Sequence, residues 1–239
     1  EDGIRDALVG LVGSEMCIRD RYQGLTDLLT PLVKAYCAQR GFDVCIQAMQ
    51  VYGGYGYTRE YPVEQLARDC KIASIYEGTD GIQAMDLLGR KLGMDEGKVF
   101  MSFMGEVQKA IARARKARGL GPLADKLEKA LNRLGETALH LGEKGVSAEF
   151  KTAFAHAFPF LEAMGDVIMA WMLLWRASIA AEKLNNGAKK KDVNFYEGQL
   201  KSAEFFIQTV IPVACGKMDA IMESSNAAVA ISEASFGGL

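Results

Sequence analysis

Apolar residues recurring at steps of three and four along almost all of this 239-residue chain limit its fold more than any other feature. Between Thr26 and Gln50 the residues Leu29, Leu32, Val33, Tyr36, Val44 and Met49 keep that spacing with few turn residues among them, which predicts one long helix. The stretch VYGGYGYTREYP, residues 51–62, holds three glycines and then a proline, so it predicts a loop. Helical spacing resumes in PVEQLARDCKIASI, where Pro62 suits a first turn. Beyond a YEGT loop, a further helix is expected from Asp80 to about Leu92. Thr79 fits its N-cap, Asp80 an acidic first turn, and Ile82, Met85 and Leu88 a buried stripe.

LGMDEG, residues 92–97, reads as a boundary, and the character of the chain changes after it. KVFMSFMGEVQKAIARARKA is amphipathic and stops at RGLGPL; LADKLEKALNRLGETALHLG forms a second amphipathic pattern. A third covers roughly 147–184, with Leu161, Met164, Ile168, Met172, Trp175 and Ile179 in step. After NNGAKKKD, a last helix is expected over about 194–224. No segment alternates with period two for long enough to make a strand. The predicted fold class is therefore all-α, in two blocks of antiparallel helices.

Composition narrows the partners. Apolar residues make up 49%, ample for a packed core, and the net charge of −2 supplies no basic field for nucleic acid or an anionic membrane. The most apolar run, VIMAWMLLW at 167–175, lies between Asp166 and Arg176. It is far short of the roughly 20 residues that span a bilayer, so a core helix and no membrane partner are expected. Its Trp171, Trp175, Met169 and Met172 suit a core better than an acyl pocket at this spacing. The helix carrying Lys109, Arg113, Arg115, Lys116 and Arg118 reads as a solvated face. Five scattered cysteines without a C-x-x-C pair suit reduced thiols and a cytoplasmic setting, and two histidines argue against a zinc site. No basic stretch followed by an apolar run opens the chain, so no secretory signal is expected.

Residues 1–22, EDGIRDALVGLVGSEMCIRDRY, stand apart. They lack a clean helical stripe, and VGSEMCIRDR resembles a translated sequencing adapter. They are expected to be non-native, joined at a broken gene end. Resequencing that returned this stretch in frame upstream of Gln23 would refute that expectation.

Three stretches in order, QVYGGYGY at 50–57, YPVEQLARDCKI at 61–72 and IYEGTDGIQ at 75–83, resemble the C-terminal helical domain of the flavin-dependent acyl-CoA dehydrogenases. Residues 23–92 would be that domain in part, 93–120 a connecting helix, and 121–239 an additional helical domain. Such a domain is found in a long-form subgroup similar to methylmercaptopropionyl-CoA dehydrogenase. The resemblance implies that an N-terminal helical domain and a central β-domain belong upstream. It implies FAD as cofactor, an acyl-CoA substrate, electron-transfer flavoprotein or a similar acceptor as partner, and a homo-oligomer.

Desaturating an acyl thioester requires a base close to a weakly acidic α-proton. A carboxylate on a loop in an apolar cleft suits the task, because burial raises a carboxylate's proton affinity. The resemblance puts Glu77 in that role and its backbone N–H on the thioester carbonyl, with Gly78 permitting close approach and Tyr76 lining the acyl cavity. It puts Gln50, Val51, Tyr52, Gly53 and Gly54 against the flavin of a neighbouring subunit, and Thr79 on the adenylate portion. Many relatives carry Glu or Gln two residues after that threonine, where this chain has Gly81, so one cofactor contact is missing. Read without the resemblance, Glu77 is a helix-flanking carboxylate, Gly53 and Gly54 a flexible link, and Thr79 a plain cap. An acyl-CoA oxidase is the neighbouring alternative, and a non-catalytic helical interaction or oligomerisation module the alternative of a different class.

Overall fold

A computed structural model describes the backbone of residues 2–237 and the side chains of residues 19–237. Helix α1, Asp2–Tyr52, is followed by a 3-10 turn at Gly53–Tyr57. Helix α2 spans Val63–Lys71 and α3 spans Asp80–Asp86, the latter passing into a π-turn at Leu87–Lys91. Then come α4 Lys98–Lys116, α5 Gly121–Gly145, α6 Phe150–Ala155, α7 Ala157–Asn185, α8 Val193–Thr209, α9 Ile211–Glu223 and α10 Ala227–Ala230. The described residues contain no strand, and the fold is all-α.

Most expected helices are present, with differences at their ends. The long first helix does not start at Thr26 but runs back to Asp2. The reading of residues 1–22 as non-native falls mostly on side chains outside those described. Arg21 pairs with Glu106 and donates to the Ser102 hydroxyl at 3.3 Å, while Gly24 faces the Val99 side chain, so residues 21–24 pack on α4. The pattern at 147–184 is broken at His156 into α6 and α7. The final helix is broken at Val210, one residue after α8 ends and just before Pro212, whose ring cannot continue the backbone hydrogen-bond ladder.

Side-chain pairs give the helix directions. Arg115 reaches Asp125 and Glu128 across a short turn, and a side chain on Gly135 would touch Met104, so α4 and α5 are antiparallel. Arg113 with Glu182, and Phe103 with Trp171, set α4 and α7 parallel. Arg133 with Asp219 and His140 with Ser224 do the same for α5 and α9. Of the five cations expected on one basic helix face, Arg118 lies beyond the end of α4, and three of the other four are held by acids: Lys109 by Glu106, Arg113 by Glu182, and Arg115 by Asp125 and Glu128.

One hydrophobic core runs through both blocks. Leu28, Leu32 and Tyr36 of α1 and Leu87 of the π-turn lie in the same cluster as Phe103, Leu131, Met164 and Ile207. Helix α7 is its axis, with Phe160, Leu161, Met164, Val167, Ala170 and Leu174 fully enclosed. The stretches Ala157–Asn185 and Lys190–Glu223 are long and apolar enough to cross a bilayer by length and composition. The first is mostly buried by its neighbours here, and the second carries ion pairs at Lys201 and Lys217. Trp171 packs its edge against Phe103 at 5.8 Å, whereas Trp175 and Met169 reach the surface.

Gly165 sits where α1 crosses α7. A methyl group there would overlap the Tyr36 ring, so only glycine admits the crossing. Beside it, the Tyr36 hydroxyl donates to Asp166 at 2.7 Å, and Arg40 lies 3.4 Å from the same carboxylate. Burial, first, holds the Asp166 carboxyl above its usual range, against the pull of Tyr36, Arg40 and Lys217. Burial and the adjoining carboxylate push the Tyr36 phenol up as well, so it stays a neutral donor.

Candidate active site

Chain geometry between Ile72 and Asp80 follows from where the helices stop. A 3-10 turn at Ile72–Ser74 extends α2, and the amides of Ile75 and Tyr76 both end on the Ile72 carbonyl. The backbone then reverses through two left-handed residues, Glu77 at φ 56° and Gly78 at φ 86°. Glycine takes that conformation freely; glutamate takes it under strain. Thr79 returns to extended backbone, and its hydroxyl accepts from the Ile82 amide at 3.4 Å, the N-cap expected from the sequence.

Side chains from α1 and α3 hold this reversal. Gln83 Nε2 donates to the Glu77 carbonyl at 3.1 Å, and Lys34 Nζ donates to the Gly78 carbonyl at 2.5 Å. Lys34 also lies 3.4 Å from Asp80, whose other oxygen accepts from Gln39 Nε2 at 2.9 Å. Asp80 is 6% exposed, at the positive end of α3. The Glu77 carboxylate itself is exposed, and among the described residues it has no hydrogen-bond or ion-pair partner. Nor has the Glu77 backbone N–H an acceptor among them.

Exposure of Glu77 differs from the nearly dry crevice expected of a base. Tyr76 is 50% exposed, and Ile75, Ile82 and Met85 around it also face outward. Among the described residues, the side chains of Tyr76 and Glu77 stand open to solvent. A cavity of about 870 Å³ lies elsewhere, between Leu88, Leu92, Phe100, Met104, Leu139 and Phe154 at the far end of α3.

The second group of expected residues sits at the end of α1. Gln50 and Val51 are exposed in its last turn, and Tyr52 ends it. Gly53, at φ 62°, and Gly54 both have open space where a side chain would be. Gly56 is the buried one: a side chain there would lie 2.5 Å from the Met49 carbonyl, so the turn folds tightly back on α1. Tyr61 packs on Tyr52 and Tyr55 at 5.8 and 5.4 Å. Lys34, which marks the Glu77 loop, and Gln50 are sixteen residues apart on one helix, or about 24 Å. The structure thus brings Tyr76, Glu77, Gly78 and Thr79 together and leaves Gln50–Gly54 apart from them. Gly81 is exposed, and a side chain there would meet only the Thr79 hydroxyl, at 3.9 Å. Lys34, Gln39 and Gln83 were not legible as site residues. Lys34 and Gln39 share no motif with the loop and reach it only through the packing of α1 on α3, whereas Gln83 closes the IYEGTDGIQ stretch itself and reaches back from the first turns of α3.

Comparison with known proteins agrees with this architecture. The family model described as acetyl-CoA dehydrogenase C-terminal like matches residues 103–232, and that of the acyl-CoA dehydrogenase C-terminal domain matches residues 19–92. The chain is similar to the broad-specificity linear acyl-CoA dehydrogenase FadE5 of Mycobacterium tuberculosis, with 30% identity over 89% of this chain and 36% of the relative. It is similar to a butyryl-CoA dehydrogenase of Syntrophomonas wolfei, with 32% identity over 88% of this chain and 34% of the relative. A third relative is the 3-methylmercaptopropionyl-CoA dehydrogenase of Ruegeria pomeroyi, 33% identical over 81% of this chain and 32% of its own length. An all-helical chain with a carboxylate-bearing loop at a helix N-terminus, matched by these two models over residues 19–92 and 103–232, defines the class. The chain belongs to the acyl-CoA dehydrogenase family, of which it carries the C-terminal helical part. It spans about a third of the length of the curated relatives it matches.

Proposed function

We propose that this chain is the C-terminal part of a flavin-dependent enzyme that desaturates an acyl-CoA thioester between its α and β carbons, with Glu77 as the base. One observation carries the reading. The loop carbonyls on either side of the reversal are tied down, while the Glu77 carboxylate and its own N–H are left without partners among the described residues. A helix-flanking carboxylate with a purely capping role would spend its oxygens on the first turn of α3; here Thr79 already does that.

In this reading Glu77 takes the α-proton, and its backbone N–H donates to the thioester carbonyl as negative charge grows on that oxygen. The electron pair of the broken Cα–H bond forms the double bond as a hydride leaves Cβ. A bound flavin supplies acceptance of that hydride. The residues present fit such a group: Gly53 and Gly54 leave open backbone for a diphosphate, and Thr79 retains a hydroxyl proton to donate. Gln50, Val51 and Tyr52 would extend that contact. The offset of about 24 Å along α1 supports the two groups serving different flavins, and hence a homo-oligomer in which Gln50–Gly54 reach across to a neighbour. Tyr76 and Gly78 would line the acyl side. Electron-transfer flavoprotein or a similar carrier as acceptor, and a cytoplasmic setting, complete the proposal.

The test uses the full-length enzyme. A yellow protein whose absorbance bleaches on anaerobic addition of acyl-CoA is expected, and Glu77→Gln keeps the colour and loses the bleaching. Undiminished turnover in that variant would remove Glu77 from the role. Peroxide release in air without an added carrier would turn the reading to an oxidase. A colourless protein that shifts labelled DNA at physiological salt would replace it with an interaction module.

A further inference from the structure

We propose that Lys34 is a positioning residue for the base: held by Asp80, whose carboxylate Gln39 orients, its ammonium fixes the left-handed turn from which Glu77 projects. The proposal rests on the reading of Glu77 given above. Three facts combine. Glu77 is a non-glycine residue in left-handed backbone, a conformation that persists only where neighbours over-determine it. The carbonyls of Glu77 and Gly78 point away from any helix ladder, and each accepts instead from a side chain of another turn, Gln83 and Lys34 respectively. The Lys34 ammonium is sheltered from solvent, its side chain 16% exposed, and is balanced by an Asp80 side chain that is 8% exposed.

Charge and geometry divide the work between these groups. Both Asp80 oxygens accept, from Lys34 and Gln39, so the donor that reaches Gly78 is the Lys34 ammonium. Gln39 occupies the second Asp80 oxygen and so fixes which way the carboxylate faces. The clamp grips α1, the start of α3 and the loop between α2 and α3. Any shift of α1 along α3 is therefore transmitted to the backbone of the base. Lys34 does not touch the reacting atoms in this arrangement. Its effect is on where the Glu77 carboxylate and N–H point.

The experiment uses the full-length, flavin-loaded enzyme and two readouts. In Lys34→Met and Asp80→Asn, kcat for an acyl-CoA is expected to fall by about tenfold or more while KM moves by less than about threefold, with flavin absorbance retained. Lys34→Arg should recover part of the loss, since a guanidinium can donate to both partners. Amide hydrogen exchange supplies the readout independent of turnover. In Lys34→Met, the amides of Tyr76, Ile82 and Gln83, which end on Ile72 and Thr79 at the two edges of the loop, should exchange about tenfold faster, while α5 and α7 exchange as before. Unchanged exchange at those three amides overturns the proposal, as does acceleration spread equally through α5 and α7, which would mark Lys34 as general packing. Should Glu77→Gln turn over normally, the base assignment fails by itself. The exchange result still decides whether Lys34 holds the loop.

Discussion

At the scale of single residues, Gly165 and Glu77 show what the sequence can and cannot disclose. Glu77 was legible because the resemblance rests on a contiguous motif, and the Thr79 cap beside it because capping is local chemistry. Gly165 lies inside a helical pattern with no turn residues near it, and its reason is a ring 129 positions earlier in the chain. That reason exists only once α1 lies across α7. Gly165→Ala is expected to lower stability by about 2 kcal/mol or more, because a methyl group must displace the Tyr36 ring from a close-packed core. Chemical denaturation read by far-UV circular dichroism measures the loss. Tyr36→Leu in the same background should relieve part of it, which separates overlap from helix propensity. Lys34 was illegible for the related reason that its partners Gly78 and Asp80 are more than forty residues away.

Among elements, the join of α1 to α7 has an electrostatic signature. Asp166 is 2% exposed and is held above the ordinary carboxylate range by burial. Its native form therefore keeps a proton to higher pH than its unfolded form does. As pH rises through that interval, this residue makes the native state progressively less stable, and the penalty is complete above the native value. Asp166→Asn cannot ionise. Relative to the parent, its unfolding free energy should improve steadily from about pH 4 toward neutrality, as measured by urea titrations across that range. A difference that is flat or opposite in slope would show that Arg40 and Lys217 outweigh burial. The helices themselves were largely readable, because apolar spacing survives wherever one face packs and the other meets water. Their ends were not. The break at His156 and the one ahead of Pro212 fall inside patterns that stay in step, and only the packing of α6, α8 and α9 sets them.

For the molecule as a whole, the sequence suggested two blocks divided near LGMDEG, and the backbone does turn left-handed there at Asp95, Glu96 and Gly97. The core does not divide with it, since α1 residues and α7 residues lie in one cluster. A single unfolding transition is expected, with tyrosine and tryptophan signals in near-UV circular dichroism falling together with the helical signal in far-UV. Two separated transitions would show the blocks to be independent. The notch at Gly165 then has a mechanical meaning. A keyway that admits one ring indexes α1 against α7, so the long helix cannot creep by a turn. The same helix carries the Lys34 clamp part-way along and the Gln50–Gly54 hook at its tip. It behaves as a pinned spar: the helical rise sets the spacing between those two stations, and the pin sets where both stand against α7.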